Sequence, residues 1–203
     1  MKILISNVGS TSLKFKLYDM PLETVLCESR IENVGSGQTA VFYYKNMMKG
    51  MTIAKKNCAV PSYSAGIKMF LAELTDSQHG SVCALSDIQS IGFKTVLAKG
   101  YQGVHELTDE VIEAMRAFLF VAPAHNGPYL EAIEQFRAIL PDAELVGVFE
   151  TAFHTTIPQE RRMYSIPYEW YEKFGIMRMG YHGASHSYVA DYLIQRFGRT
   201  NRA

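Results

Sequence analysis

The sequence predicts an α/β fold: a mixed sheet flanked by helices. Three observations carry this. The first 33 residues read as three strands in an antiparallel meander. The remainder alternates helical and strand-like apolar patterns. The two segments with the most evident chemistry, Ile5–Lys14 and Met179–His186, both fall where an apolar element meets a polar, Gly-containing turn.

Residues 2 to 8, with Ile3, Leu4, Ile5 and Val8, read as a buried strand. From Ser12 to Asp19, Leu13, Phe15 and Leu17 alternate with Lys14, Lys16 and Tyr18, the period of a half-buried strand. Met20-Pro21-Leu22-Glu23 is a turn, and Thr24 to Asn33 is the third strand. Thr39 to Tyr44 and Met51 to Lys55 can pair as a hairpin around Lys49-Gly50. Pro61 precedes a helix from about Ser64 to Leu74, with Ile67, Phe70, Leu71 and Leu74 on one face. Ser90 to Ala98 reads as a strand.

Thr108 caps the next helix, and Asp109 and Glu110 complement its dipole. Its apolar stripe is Val111, Ile112, Met115, Phe118 and Leu119. Asn126 is read as the cap of a further helix with Pro128 in its first turn and Tyr129, Ile133, Phe136 and Leu140 inward. Pro141-Asp142 ends that helix. Glu144 to Phe149 is a short strand with the acid Glu150 at its end. The aromatic run from Tyr164 to Phe174, broken by Pro167, reads as core or an interface stripe. The last helix, from about Gly183 to Phe197, is expected to turn Tyr188, Val189, Tyr192, Leu193 and Phe197 inward, and residues 198 to 203 read as a frayed end.

Composition narrows the function. Twenty basic and 20 acidic side chains leave no net charge, which argues against general attraction to nucleic acid or an anionic membrane. Cys27, Cys58 and Cys83 form no CxxC pair, so free, buried thiols in a reducing cytoplasm are expected rather than a disulfide framework or zinc site. No apolar run approaches the roughly 20 residues of a membrane-spanning helix.

The Ile5–Lys14 turn can offer backbone N–H groups, hydroxyls and an ammonium to a phosphate. The Gly180-Tyr181-His182-Gly183 segment opens a helix, where the dipole favours anions. Both point to phosphoryl chemistry, although Asn7, Ser10 and Ser12 equally suit an ordinary β-turn. His154 and His186 suit packing and hydrogen-bonding roles.

Five segments in order resemble the acetate kinase family of short-chain acyl kinases: Ile5–Lys14, Ile91–Val96, Val121–Asn126, Val148–His154, and Ile166–Ile176 continuing into Gly180–His186. The resemblance implies a ribonuclease H-like, actin-like five-stranded type of mixed sheet, shared with the sugar kinases and Hsp70. It implies ATP- and Mg²⁺-dependent phosphorylation of a short-chain carboxylate, acetate or propionate. By that resemblance Asn7, Ser10, Ser12 and Lys14 lie on the nucleotide phosphate side. Lys94 and His125 hold the carboxylate, Val96 and Ala124 border the acyl tail, and His125 and His182 contact the transferring group. Glu150, with Asn7, orients the metal; His182, Glu150, Lys94 and His125 form the catalytic set.

The chain also departs from the family. Lys94 stands for arginine, so the planar two-pronged grip is lost. Glu150 stands for aspartate, one methylene longer. Phe93–Gly100 lacks the family's histidines and glycine pair, so a rebuilt loop is expected. Ala124 replaces a larger apolar residue, which leaves room for a propionyl chain. Residues 1 to 203 correspond to the N-terminal domain; the nucleotide-binding C-terminal domain is not in the sequence. Whether this is a cut piece or a natural half-protein stays open, as does a homodimer. Two other functions fit: a butyrate kinase-like enzyme, and a non-catalytic remnant that binds a small anion or a protein.

Overall fold

The register of the fold is set by its first hairpin. In the computed structural model, which describes residues 1–198, β1 (Lys2–Val8) pairs antiparallel with β2 (Ser12–Asp19), Leu4 opposite Leu17 and Val8 opposite Leu13. The meander continues through β3 (Thr24–Glu32), β4 (Ala40–Asn46) and β5 (Met51–Cys58), so the 39–55 hairpin read from the sequence forms. After α1 (Tyr63–Leu74) and a 3₁₀ turn at Leu85–Asp87, β6 (Ile88–Thr95) returns parallel to β1. The remaining elements are β7 (Gly103–Glu106), α2 (Asp109–Arg116), α3 (Pro123–Ile139), β8 (Glu144–Phe149), α4 (Gln159–Arg162), α5 (Tyr168–Phe174) and α6 (Gly183–Phe197).

All eight strands join one mixed sheet in the order β5-β4-β3-β2-β1-β6-β8-β7. This is wider than the five-stranded type expected. The β4–β5 hairpin lengthens one side, and β7, antiparallel to β8, adds the other edge. β7 escapes a periodicity reading because it is four residues long and its Val104 points to solvent.

The apolar sides of β1, β2 and β6 meet α1 and α3. Phe15 stacks on Phe70 at 4.2 Å, and Phe136 meets Phe15 and Phe93 edge-on at 6.1 and 5.8 Å. Gly66 lets α1 come close: a Cβ there would lie 2.7 Å from Leu13 Cδ1. The opposite sheet face presents Lys14, Lys16, Arg30 and Lys45 to solvent, with Lys16 paired to Glu28 at 2.7 Å.

Several expectations are corrected. β6 ends at Thr95, and residues 96 to 98 leave the sheet as a buried connection. α2 stops at Arg116 because the following amides reach back only three residues, Phe118 N to Met115 O and Leu119 N to Arg116 O; Phe118 is still buried. α3 begins at Pro123, so Asn126 and Pro128 lie inside it rather than at its start.

The α6 stripe is outward, not inward. Tyr188, Val189, Tyr192, Leu193 and Phe197 are exposed, and Gly183 is the only buried residue of α6. The aromatic run joins it at the surface, with Tyr164, Tyr168, Trp170 and Phe174 all exposed, so it is not core. Cys27 alone is a buried thiol, its pKa pushed up to about 11 chiefly by burial; Cys58 is half-buried and Cys83 exposed. No helix among the described residues is long and apolar enough to cross a membrane. The frayed end read at residues 198–203 falls, from 199 onward, outside the described residues.

Candidate active site

Strands β1, β6 and β8 are mutually parallel and end at one edge of the sheet. Ligands of open α/β sheets gather at such carboxyl ends. Ile5 pairs with Gly92 and Ser6 with Phe93, which puts Asn7 and Lys94 one step further along, on the same face. Lys94 pairs with Val148, Thr95 with Phe149, and Glu150 N donates to Thr95 O at 3.1 Å.

Glu150 therefore starts on the strand end and turns its side chain toward Lys94, whose Nζ lies 3.6 Å from Oε1. The residue is 2% exposed, and its Oε2 has no hydrogen-bond partner in the protein. A buried carboxylate oxygen without a donor is costly. It suits a site completed by a cation or a ligand donor.

The first turn of α3 forms a second wall. Pro123 opens the helix, where its missing N–H costs nothing. The buried Asn126 Nδ2 donates to Leu97 O at 2.9 Å and Met115 O at 3.0 Å. Those two bonds tie α3 to the chain after β6 and to the last turn of α2. They bring Ala124 and His125 opposite Val96.

Tyr129 lies four residues beyond His125 and so on the same helical face. Burial, and then the charge of Glu150, hold its phenol above the usual tyrosine range, so it is a neutral donor at pH 7. Tyr129 is buried, as its inward position in the helix predicts, and it also lines the cavity that these walls enclose; its spacing from His125 is the signal for that second role.

The third wall is the start of α6. Gly183 N donates to Glu150 O at 2.8 Å, and a Cβ on Gly183 would lie 2.3 Å from that oxygen, so only glycine permits the approach. A Cβ on Gly180 would lie 2.7 Å from Cδ2 of the His154 side chain. His154 Nε2 and His186 Nδ1 are 3.2 Å apart, consistent with hydrogen-bonding roles for both.

The three walls enclose a cavity of about 540 Å³ lined by Lys94, Val96, Ala124, His125, Tyr129 and His182, among others. The hairpin residues expected on the phosphate side stand outside this cavity. Asn7, Ser10, Ser12 and Lys14 do not line the cavity, and Lys14 opens onto a separate groove with Lys16 and Arg30. The turn is internally tied: Gly9 N donates to Ser12 O at 2.8 Å, and Tyr63 Oη contacts Gly9 O and Ser10 O at 2.9 and 2.5 Å. Gly9 N–H is thus not free for a phosphate.

Among the described residues no group of three His, Cys, Asp or Glu is spaced to hold a metal alone. Magnesium does not require one; it takes one or two carboxylates and completes its shell with water and substrate phosphates. The unpartnered Oε2 of Glu150 fits that donor set.

Comparison with known proteins bears on the family and the fold. Residues 2–203 match the model of the acetokinase family. The chain is 37% identical over 199 residues to the acetate kinase of Bacillus subtilis, and 38% over 202 residues to that of Coprothermobacter proteolyticus. Each match covers 98% of this chain, but 49% and 50% of those relatives, so the chain spans about half their length. Among solved structures, the Porphyromonas gingivalis acetate kinase and a Francisella tularensis propionate kinase each superpose with a TM-score of 0.85 at 30% identity. Those matches cover 98% of this chain and 49% and 50% of theirs. The likeness bears out the actin-like sheet. By sequence and by fold, the chain belongs to the acetokinase family and corresponds to its N-terminal part.

Proposed function

We propose that this chain supplies one wall of a phosphotransferase that moves the γ-phosphoryl of ATP onto a short-chain carboxylate, acetate or propionate, to give an acyl phosphate. The observation that carries the reading is the cavity itself. Lys94, Val96, Ala124, His125 and His182, taken from three separated segments, line one concavity.

In this reading Lys94 and His125 bind the carboxylate, and the tail lies along Val96 and Ala124. One carboxylate oxygen attacks the phosphorus in line as the bond to the departing ADP oxygen breaks. His182 donates to the transferring phosphoryl oxygens, whose charge fixed donors stabilise. Tyr129 adds a neutral donor from the same wall. Asn7, Ser10, Ser12 and Lys14, which stand outside the lining of that cavity, would meet the nucleotide phosphates from the β1–β2 hairpin. Glu150 and Asn7 would hold Mg²⁺, which when bound neutralises charge on the phosphate oxygens. The second wall comes from a C-terminal domain or from a second copy. An exposed Cys83 suits a reducing cytoplasm.

One observation favours a second reading, a half-kinase that binds a small anion without turnover. The ammonium of Lys94 is already paired with Glu150, which weakens its hold on substrate. A butyrate kinase-like enzyme differs only in tail length.

An acyl-phosphate assay decides between them, with ATP, Mg²⁺ and acetate or propionate and hydroxylamine to capture product. Turnover abolished by His182→Ala supports a working centre in this chain. No turnover at high protein concentration, but turnover once a relative's C-terminal domain is added, supports a half that needs its second wall. None in either case supports the anion-binding remnant.

A further inference from the structure

The chain is neutral overall, with 20 positive and 20 negative side chains. Its charge is nonetheless locally segregated. A second cavity, of about 600 Å³, has Arg161, Arg162 and Arg178 on its wall, and no carboxylate lines it. Among the described residues, none of the three guanidiniums has an ion-pair partner.

The backbone builds the cluster. Arg178 N donates to Arg162 O at 2.7 Å, and Arg178 Nη1 donates to Arg161 O at 3.3 Å. The Arg178 guanidinium also lies over the Tyr164 ring at 5.4 Å. α4 and the segment before α6 are thereby held together, so like charges share one mouth. Thr151, Thr156 and the His154 imidazole complete the polar wall.

We propose that this cavity is a binding site for a small dianionic oxyanion, inorganic phosphate or a phosphate monoester. Guanidinium forks match tetrahedral oxyanions in two places at once, and three of them suit more than one negative charge. A monocarboxylate would satisfy one fork and leave two uncompensated. The site is separate from the one proposed above: the two cavities share no lining residue. They are adjacent in the chain, because Gly180 lines one and Tyr181 and His182 the other.

The test follows the arginine side-chain Nε–H signals by NMR during titration with inorganic phosphate at constant ionic strength. Saturable shifts of Arg161, Arg162 and Arg178 are expected, with sodium acetate producing none. Arg162→Gln with Arg178→Gln should weaken binding at least about tenfold, the loss of one charge-assisted bond. Arg161→Gln, at an exposed position, serves if the double variant does not fold. His182→Ala should leave phosphate binding intact. Glycerol 3-phosphate binding more tightly than phosphate identifies a monoester, and the reverse identifies free phosphate. Shifts that never saturate, that acetate or chloride reproduce, or that survive removal of the arginines overturn the proposal. So does loss with His182→Ala alone.

Discussion

Lys94 Nζ stands 3.6 Å from Glu150 Oε1, and the two side chains differ sharply in exposure, 41% against 3%. The pair joins a wet cation to a dry anion, so its energetics lie between those of surface and interior pairs. Lys94→Met leaves the buried carboxylate uncompensated. A surface pair is worth under about 1 kcal/mol, and breaking a buried one costs about 3–5 kcal/mol, so a loss of about 2 kcal/mol is expected. Urea unfolding measures it. Glu150→Gln in the Lys94→Met background should recover most of the loss; equal stability of Lys94→Met and the parent would contradict the pairing.

Gly183→Ala is expected to detach the start of α6. The added methyl would meet a backbone oxygen at 2.3 Å and the Phe153 amide nitrogen at 3.0 Å, and neither can swing aside as a side chain would. Overpacking of this kind costs about 1–3 kcal/mol. Hydrogen exchange should show faster exchange across residues 183 to 197 with the β1–β3 meander unchanged. Unaltered protection in α6 would show that the contact is not tight in solution.

The acyl-tail reading is tested in a two-domain form carrying a relative's C-terminal half. With Ala124 on the wall, propionate is expected to be used at least as well as acetate. Ala124→Leu should shift the ratio of kcat/KM values toward acetate by about tenfold, the usual effect of a methylene in an apolar pocket. A clear acetate preference in the unsubstituted form would count against it.

Asp76 gives a pH dependence of known sign. Its Oδ1 accepts from Gln78 N at 2.8 Å and His79 N at 3.1 Å, and these two amides hold the carboxyl below its usual range. The unfolded group titrates near pH 3.9. A depressed folded pKa means that the carboxylate adds stability above the unfolded value and loses it as the pH falls through the folded one. The stability gap between the parent and Asp76→Asn at pH 5 should therefore close below about pH 4. Urea melts at each pH would show it; a gap that widens on acidification would reverse the assignment.

The strands of the meander were legible because Leu13, Phe15 and Leu17 alternate without interruption, and every second residue meets a helix. Glu150 and His182 were singled out by their motifs, and the bond from Gly183 N to Glu150 O sets their two segments side by side, although only His182 lines the cavity. Asn126 was misread because its type favours a helix cap, while tertiary contacts with Leu97 and Met115 use its amide inside the helix. The α6 stripe has a correct helical period, but period does not say what covers the face. The arginine cavity was invisible for another reason: its cations come from two segments, brought together by contacts of Arg178 with residues 161, 162 and 164.

The sheet has two free margins, β5 and β7. β5 presents Lys55 and Lys56 to solvent, and β7 is only four residues long. Charged and very short margins resist the addition of a foreign strand. Chain-to-chain polymerisation by β-augmentation is thereby disfavoured at both ends. The exposed aromatic and aliphatic side chains of α5 and α6 offer the adhesive alternative, so crowding of this molecule should produce helix-mediated association rather than fibrils.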